Sequence, residues 1–290
     1  MKILVTGKSG SGAWAIRGEQ LGAALGATVR PDAPEQLMRE HDVVILVKRP
    51  PSGFADRARH AGAFVVWDVV DAWPQPDANA WPYAHAVEWL RREAMRVGAR
   101  VVVCSNDLMA DAAGENALVV PHHAWDRGER NRPLVVANEV RRVGYQGREL
   151  YISGEIGALV RAECASRGWE FVSAPDLDLT SVDIAVAFRD APWSGDIASS
   201  WKSNVKLANM QHAGVPGVLA AEESYVRFCS GAERWIRQGL ERESLRAAFD
   251  SLVTRDAREN AAKLMRTQAH RFSLSQIAAD YRAQLEVLRA

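Results

Sequence analysis

Apolar runs and amphipathic stretches alternate along the first half of the chain. Residues 2–6 read as a short strand that ends in glycine, and residues 14–25 place Ile16, Leu21 and Leu25 on one helical face. Residues 42–48 (DVVILVK) are apolar and β-branched without alternation, the pattern of a strand buried on both faces, and Pro50-Pro51 stops them. A helix over 53–61, a strand over 63–67, a polar, proline-rich loop over 71–82, a helix over 83–97 and strands over 100–104 and 117–120 follow. Strand–helix alternation of this kind predicts a parallel α/β sheet.

Residues 126–133 (DRGERNRP) are charged and lack periodicity, which marks a linker. A second α/β series begins beyond it. Strands are expected at 142–145, 169–173, 182–188 and 215–220, and helices at 149–167 and 202–213; residues 231–290 read as charged and helical throughout. The 290 residues therefore divide into two domains, 1–126 and 134–290.

Composition narrows the function. The 36 basic residues balance the 36 acidic ones, so the basic excess of a non-specific nucleic-acid binder is absent. Cys104, Cys164 and Cys229 are scattered without metal-ligand spacing, as expected of thiols in a reducing compartment. No apolar stretch suits a signal peptide or a membrane span, so a soluble cytoplasmic protein is expected. The ten tryptophans are core filler or platforms for stacking sugars.

Four places carry candidate chemistry. The loop 7–12 (GKSGSG) follows a strand and opens a helix, so Gly10, Ser11 and Gly12 either approach a ligand with their backbone or simply make a tight turn. A P-loop needs an earlier glycine, and a dinucleotide fingerprint needs wider glycine spacing. In the stretch 201–220 (WKSNVKLANMQHAGVPGVLA), Ser203 or Asn204 can cap a helix that carries Lys202, Lys206 and Asn209 near one another; two lysines at a helix N-terminus suit a pyrophosphate, and the alternative is a solvated face. Asp68 and Asp71 follow a buried strand, where a carboxylate can act as general base or cap the next loop. His122 and His123 reach a ligand crevice or are exposed on a loop, and with no third ligand they predict no metal site.

The stretch 201–220 resembles the donor-binding helix and Ala-Gly-Val-Pro turn of GT-B glycosyltransferases. Residues 143–147 (VGYQG) are similar to the first strand and glycine turn of that family's second domain, and residues 119–123 to the strand that closes its first. The resemblance implies two Rossmann-like α/β domains facing across a cleft, with a last helix (274–290) crossing back. It implies a nucleotide-sugar co-substrate, a UDP-sugar in the first instance, and neither an essential metal nor another cofactor. Gly144, Gly147, Lys202, Ser203, Asn204, Lys206 and Asn209 would contact the donor, as would Glu222 and Glu223 after the next strand. Trp201 and Asn209 stand where the retaining branch carries its two glutamates. The layout also resembles phage DNA glucosyltransferases, by which Asp68 is the preferred base and Asp71 the reserve. The acceptor would be a glycan or a hydroxymethylated base in DNA, the latter requiring a basic surface from Arg57, Arg59, Arg141, Arg142 and Arg148. Two other readings stay open: an NAD(P)-dependent oxidoreductase or epimerase, against which the missing Tyr-x-x-x-Lys pair counts, and a non-catalytic nucleotide-sugar-binding protein.

Overall fold

The computed structural model describes residues 1–125 and 134–289; the linker expected at 126–133 lies outside them. The chain divides into two compact units. Unit 1 comprises Met1–His123, Ser200–Ser203 and Leu274–Ala290, and unit 2 comprises Ala124–Ser199 and Asn204–Ser273. Both units are thus discontinuous in sequence.

Unit 1 is built on β1 (Ile3–Gly7), β2 (Thr28–Val29), β3 (Val43–Val47), β4 (Val65–Asp68), β5 (Ala99–Cys104) and β6 (Ala117–Val119), all parallel, in the order β2-β1-β3-β4-β5-β6. Every residue of β1 and β3 is buried, which is why both runs are apolar without alternation. A π-helical segment, Trp14–Gln20, runs into α1 (Leu21–Ala24). Then come α2 (Glu35–Arg39), α3 (Phe54–Ala61), α4 (Tyr83–Arg96) and α5 (Asp107–Ala113). The α4 stripe of Ala86, Trp89 and Leu90 is buried.

Unit 2 carries β7 (Arg142–Gln146), α6 (Glu155–Ser166), β8 (Glu170–Ala174), β9 (Ile184–Ala187) and α7 (Asp196–Trp201), whose last two residues already belong to unit 1. It continues with α8 (Val205–Ala213), β10 (Gly217–Ala220), α9 (Glu223–Phe228), β11 (Arg234–Ile236), α10 (Glu241–Asp250) and α11 (Arg255–Gln268). Its parallel sheet runs β11-β10-β9-β7-β8. Counted within each unit, both sheets share the strand order 2-1-3-4-5, with a sixth strand added in unit 1. That order reverses direction between β1 and β3 and between β7 and β9, and the carboxyl ends of those strand pairs are where doubly wound sheets bind ligands. The last helix, α12 (Leu274–Arg289), belongs to unit 1 and buries Ile277, Tyr281 and Leu285.

Three expectations need correction. Residues 231–290 are not helical throughout, because β11 completes the second sheet there. The helix expected over 202–213 is two helices: α7 stops at Trp201 and α8 starts at Val205. The short elements β2, α2, α5 and α9 were not anticipated. Among the described residues no helix is long and apolar enough to cross a membrane.

Candidate functional site

In unit 1 the strand ends gather an ionic cluster. Asp68, the last residue of β4, is 3% exposed. Arg17 reaches its Oδ2 from the π-helical segment with Nε at 2.8 Å and Nη2 at 2.6 Å. Arg17 also donates to the Pro121 carbonyl at 3.1 Å and lies 5.7 Å from the Tyr281 ring centroid. Burial pushes the Asp68 carboxyl above its ordinary pKa against the pull of Arg17.

Asp71 is less enclosed and differently held. Lys48 lies 2.6 Å from its Oδ1 and Lys202 2.8 Å from its Oδ2; Lys202 Nζ also donates to Gln75 Oε1 at 2.5 Å. Burial alone would raise this carboxyl, but the two ammonium groups hold it well below the usual carboxylate range. Lys202 is fixed because its segment is built into unit 1. Ser105 Oγ donates to the Trp201 carbonyl and Asn106 Nδ2 to that of Ser200, both at 2.9 Å. Trp201 meets Trp73 and Tyr83 edge-on, with centroids 5.9 and 6.0 Å away. Lys202 and Lys206, expected on one helix face, therefore belong to different units, with Ser203 half-buried beside Lys202.

The other unit 1 candidates are more ordinary. Gly10, Ser11 and Gly12 are exposed, Ser11 Oγ accepts the Trp14 N–H at 3.2 Å, and a Cβ on Gly12 would meet nothing. Gly7 is the glycine that packing requires, since its Cβ would fall 2.7 Å from the Val47 carbonyl oxygen. His122 and His123 are buried rather than exposed, and a ring nitrogen of His123 lies 3.0 Å from Gln20 Oε1. Burial, reinforced by Arg17, holds the His122 imidazole well below its ordinary pKa. Among the described residues no group of three or more His, Cys, Asp or Glu is placed to hold a metal ion.

In unit 2 a second cluster forms at the carboxyl ends of β7, β9 and β10. From α8, Lys206 Nζ donates to the Gln146 carbonyl at 2.7 Å and sits 3.6 Å from the Tyr145 ring centroid. Asn209 Nδ2 donates to Gln146 Oε1 at 2.6 Å, and Asn209 Oδ1 accepts the Trp125 N–H at 2.7 Å. Gly147 is hemmed in, since its Cβ would lie 2.5 Å from Tyr145 Cε1 and 2.7 Å from Lys206 Nζ. The reason for Gly144 is internal, because a Cβ there would strike Leu177 and Val182 at 2.8 Å. Asn204 occupies the cap position of α8 but makes no side-chain cap bond. Glu222 is not a solvated loop residue: it is 5% exposed and forms an ion pair with Arg189, which follows β9 by two residues. Glu223 is half-buried at the start of α9. Among the described residues the buried Tyr145 hydroxyl has no hydrogen-bond partner, and burial pushes its pKa up.

The amino end of α6 is already occupied. Asp190 accepts the N–H groups of Gly154 at 3.0 Å, Ile156 at 2.8 Å and Gly157 at 3.0 Å. A dinucleotide fold places its pyrophosphate at the helix that follows the first strand of the sheet, and here an internal carboxylate fills that position.

Sequence reasoning missed Arg17, Lys48, Arg189 and Asp190. One signal was available for three of them: Lys48, Arg189 and Asp190 are charged residues directly behind buried β-runs, where open α/β sheets place ligand-facing groups. The arginines proposed for a DNA surface divide between the units. Arg57 pairs with Asp32, Arg59 with Asp56 and Arg142 with Glu170.

No protein-family model and no curated protein matches the chain. Solved structures do. HepE of Anabaena in complex with UDP-glucose superposes with a TM-score of 0.61 at 14% identity, covering 99% of this chain and 100% of that one. OtsA in its apo form gives 0.62 at 11% identity over 98% and 99%. A glycosyltransferase from Rickettsia africae gives 0.59 at 11% identity over 99% and 97%. The fold is that of GT-B glycosyltransferase structures, with two Rossmann-like units on one chain.

Proposed function

We propose that the protein transfers a sugar from a nucleotide-sugar donor to an acceptor hydroxyl, with the donor held by unit 2 and the acceptor by unit 1. The observation that carries this reading is the cluster at the β7–β9 switch point. There Lys206, Asn209 and the backbone at Gly147 converge within a GT-B fold. Lys206 offsets the charge that builds on the leaving nucleoside diphosphate. Lys202 acts elsewhere, through Asp71. Because HepE is described with UDP and UDP-glucose, a UDP-sugar is the first donor to test.

Two carboxylates of unit 1 compete for the role of base. Burial makes Asp68 the stronger base, whereas Asp71 is more accessible but is held ionised by its lysines. Asp68 is the residue assigned to take the acceptor proton, with Arg17 setting its position.

A thermal-shift panel of nucleoside diphosphates, UDP-sugars and NAD(P) tests the proposal, because a ligand selective for the folded state raises its stability. UDP should raise the melting temperature of the wild type, and Lys206→Ala should reduce that shift. A shift with NAD(P) alone would overturn the reading.

A further inference from the structure

Among the described residues three that are not glycine have a left-handed backbone, and all three lie beyond the carboxyl ends of unit 1 strands. Asp32 (φ +46°) follows β2, Lys48 (φ +61°) follows β3 and Val70 (φ +56°) follows β4. Valine is the costliest of the three, because its branched Cβ crowds the backbone in this region. Val70 is the first central residue of a turn that the Ala72 N–H closes on the Val69 carbonyl at 3.0 Å; glycine is the usual occupant of that place when the backbone is left-handed. Both flanks hold the turn. Before it, the Val69 N–H donates to the Val103 carbonyl at 3.0 Å, and the Asp68 carbonyl accepts the Lys48 N–H at 2.8 Å. After it, Trp73 is fully buried and donates from Nε1 to Asn79 Oδ1 at 2.9 Å. Strain that its surroundings enforce in this way marks a place where direction matters.

What the turn directs is two carboxylates. Asp68, ahead of it, goes to Arg17, and the Val70 N–H is turned toward the same carboxylate. Asp71, its second central residue, goes to Lys48 at 2.6 Å and Lys202 at 2.8 Å. A right-handed residue at position 70 would redirect the chain from Asp71 onward and take its carboxylate away from both lysines. Lys48, the second outlier, ends on that carboxylate, so the two strained residues aim the two halves of one ion pair.

We propose that Val70 is a positioning residue: its left-handed backbone commits Asp68 to Arg17 and Asp71 to the two lysines, and so keeps the base of the transfer apart from its neighbour. The link to transfer rests on the reading of Asp68 as base; the backbone role rests on the turn itself. The test compares Val70→Gly with Val70→Ala in the full chain, each with and without Asp71→Asn. Packing alone would rank the variants valine, alanine, glycine. A backbone role reverses the last two, because alanine loses the buried anchor and keeps the penalty, whereas glycine loses both. Val70→Ala should therefore unfold at a lower urea concentration than Val70→Gly. Asp71→Asn should lower the midpoint in the wild type and in Val70→Gly, and by at most about a third as much in Val70→Ala, where the carboxylate has already left its lysines. In release of UDP from UDP-glucose, kcat should fall about ten-fold or more in Val70→Ala and stay within about three-fold in Val70→Gly. KM for UDP-glucose should hold in both, because the donor cluster lies in unit 2. Alanine more stable than glycine, an equal effect of Asp71→Asn in every background, or a Val70→Gly variant that does not fold would overturn the proposal. A wild type that releases no UDP, with the reversed order of stability intact, would defeat the transferase reading and leave the role of the turn standing.

Discussion

Lys202 lies 131 residues from Asp71 in sequence and 2.8 Å from it in the fold. Lys48 engages the other oxygen of the same carboxylate at 2.6 Å, so one anion ties β3, the loop after β4 and the segment Ser200–Ser203 together. Because the folded pKa of Asp71 is depressed, its contribution to stability is complete above the ordinary aspartate value of about 4 and is lost as pH falls below it. Asp71→Asn should therefore cost about 1–3 kcal/mol at pH 7, with the deficit shrinking by pH 3. Urea unfolding at the two pH values measures this. A deficit that does not change with pH would show that the carboxylate is not held by charge.

The pair formed by Arg17 and Asp68 should behave in the opposite sense. Removing Arg17 leaves a carboxylate that is 3% exposed without its cation, at a cost of about 3–5 kcal/mol. A raised folded pKa means that stability is lost as pH rises, so Arg17→Met should regain stability between pH 7 and pH 5. Arg17→Met combined with Asp68→Leu should be more stable than Arg17→Met alone. Melting curves at both pH values decide the point, and a double variant no better than the single would argue against a buried ion pair.

Gly147→Ala links packing to binding. The added methyl meets the buried Tyr145 ring and the Lys206 ammonium, and the ring has less freedom to move. A stability loss of about 1–3 kcal/mol is expected. Calorimetry should also show a fall in UDP affinity comparable to that of Lys206→Ala. Normal UDP binding in this variant would move the donor away from the β7 turn.

Asp190→Ala should empty the amino end of α6. Three N–H groups lose their acceptor, for a loss of about 1–3 kcal/mol. Added sulfate should then raise the melting temperature of the variant more than that of the wild type, because the vacated helix end is a ready anion site. Equal responses to sulfate would mean that the site closes when Asp190 leaves.

Long elements with one clear period were legible in the sequence. The strand 42–48 and the helix 83–97 appear as β3 and α4, displaced by a residue or so at their ends. Elements of two to six residues, such as β2, β11 and α9, carry too few positions for a period to show. The break after Trp201 was hidden because 202–213 contains no glycine or proline until its end, and only the Ser203-Asn204 pair hints at a new start. The ionic clusters were hidden for another reason. Asp68 and Asp71 stand out behind their strand, but Arg17 is 51 residues away from the first and Lys202 131 from the second. Such pairings follow from sheet order, which a local pattern does not contain.

The three-part make-up of unit 1 bears on how the chain can be made and cut. Residues 1–123 hold its whole sheet, yet Trp201 and Tyr281, both fully buried in it, arrive much later from the ribosome. The first sheet to be synthesised therefore waits, with an aromatic slot and part of its helical cover unfilled, until the second has been made. A fragment ending near residue 123 would keep that vacancy permanently. Any attempt to express the two units separately has to carry the four-residue segment Ser200–Ser203 and the final helix along with the first.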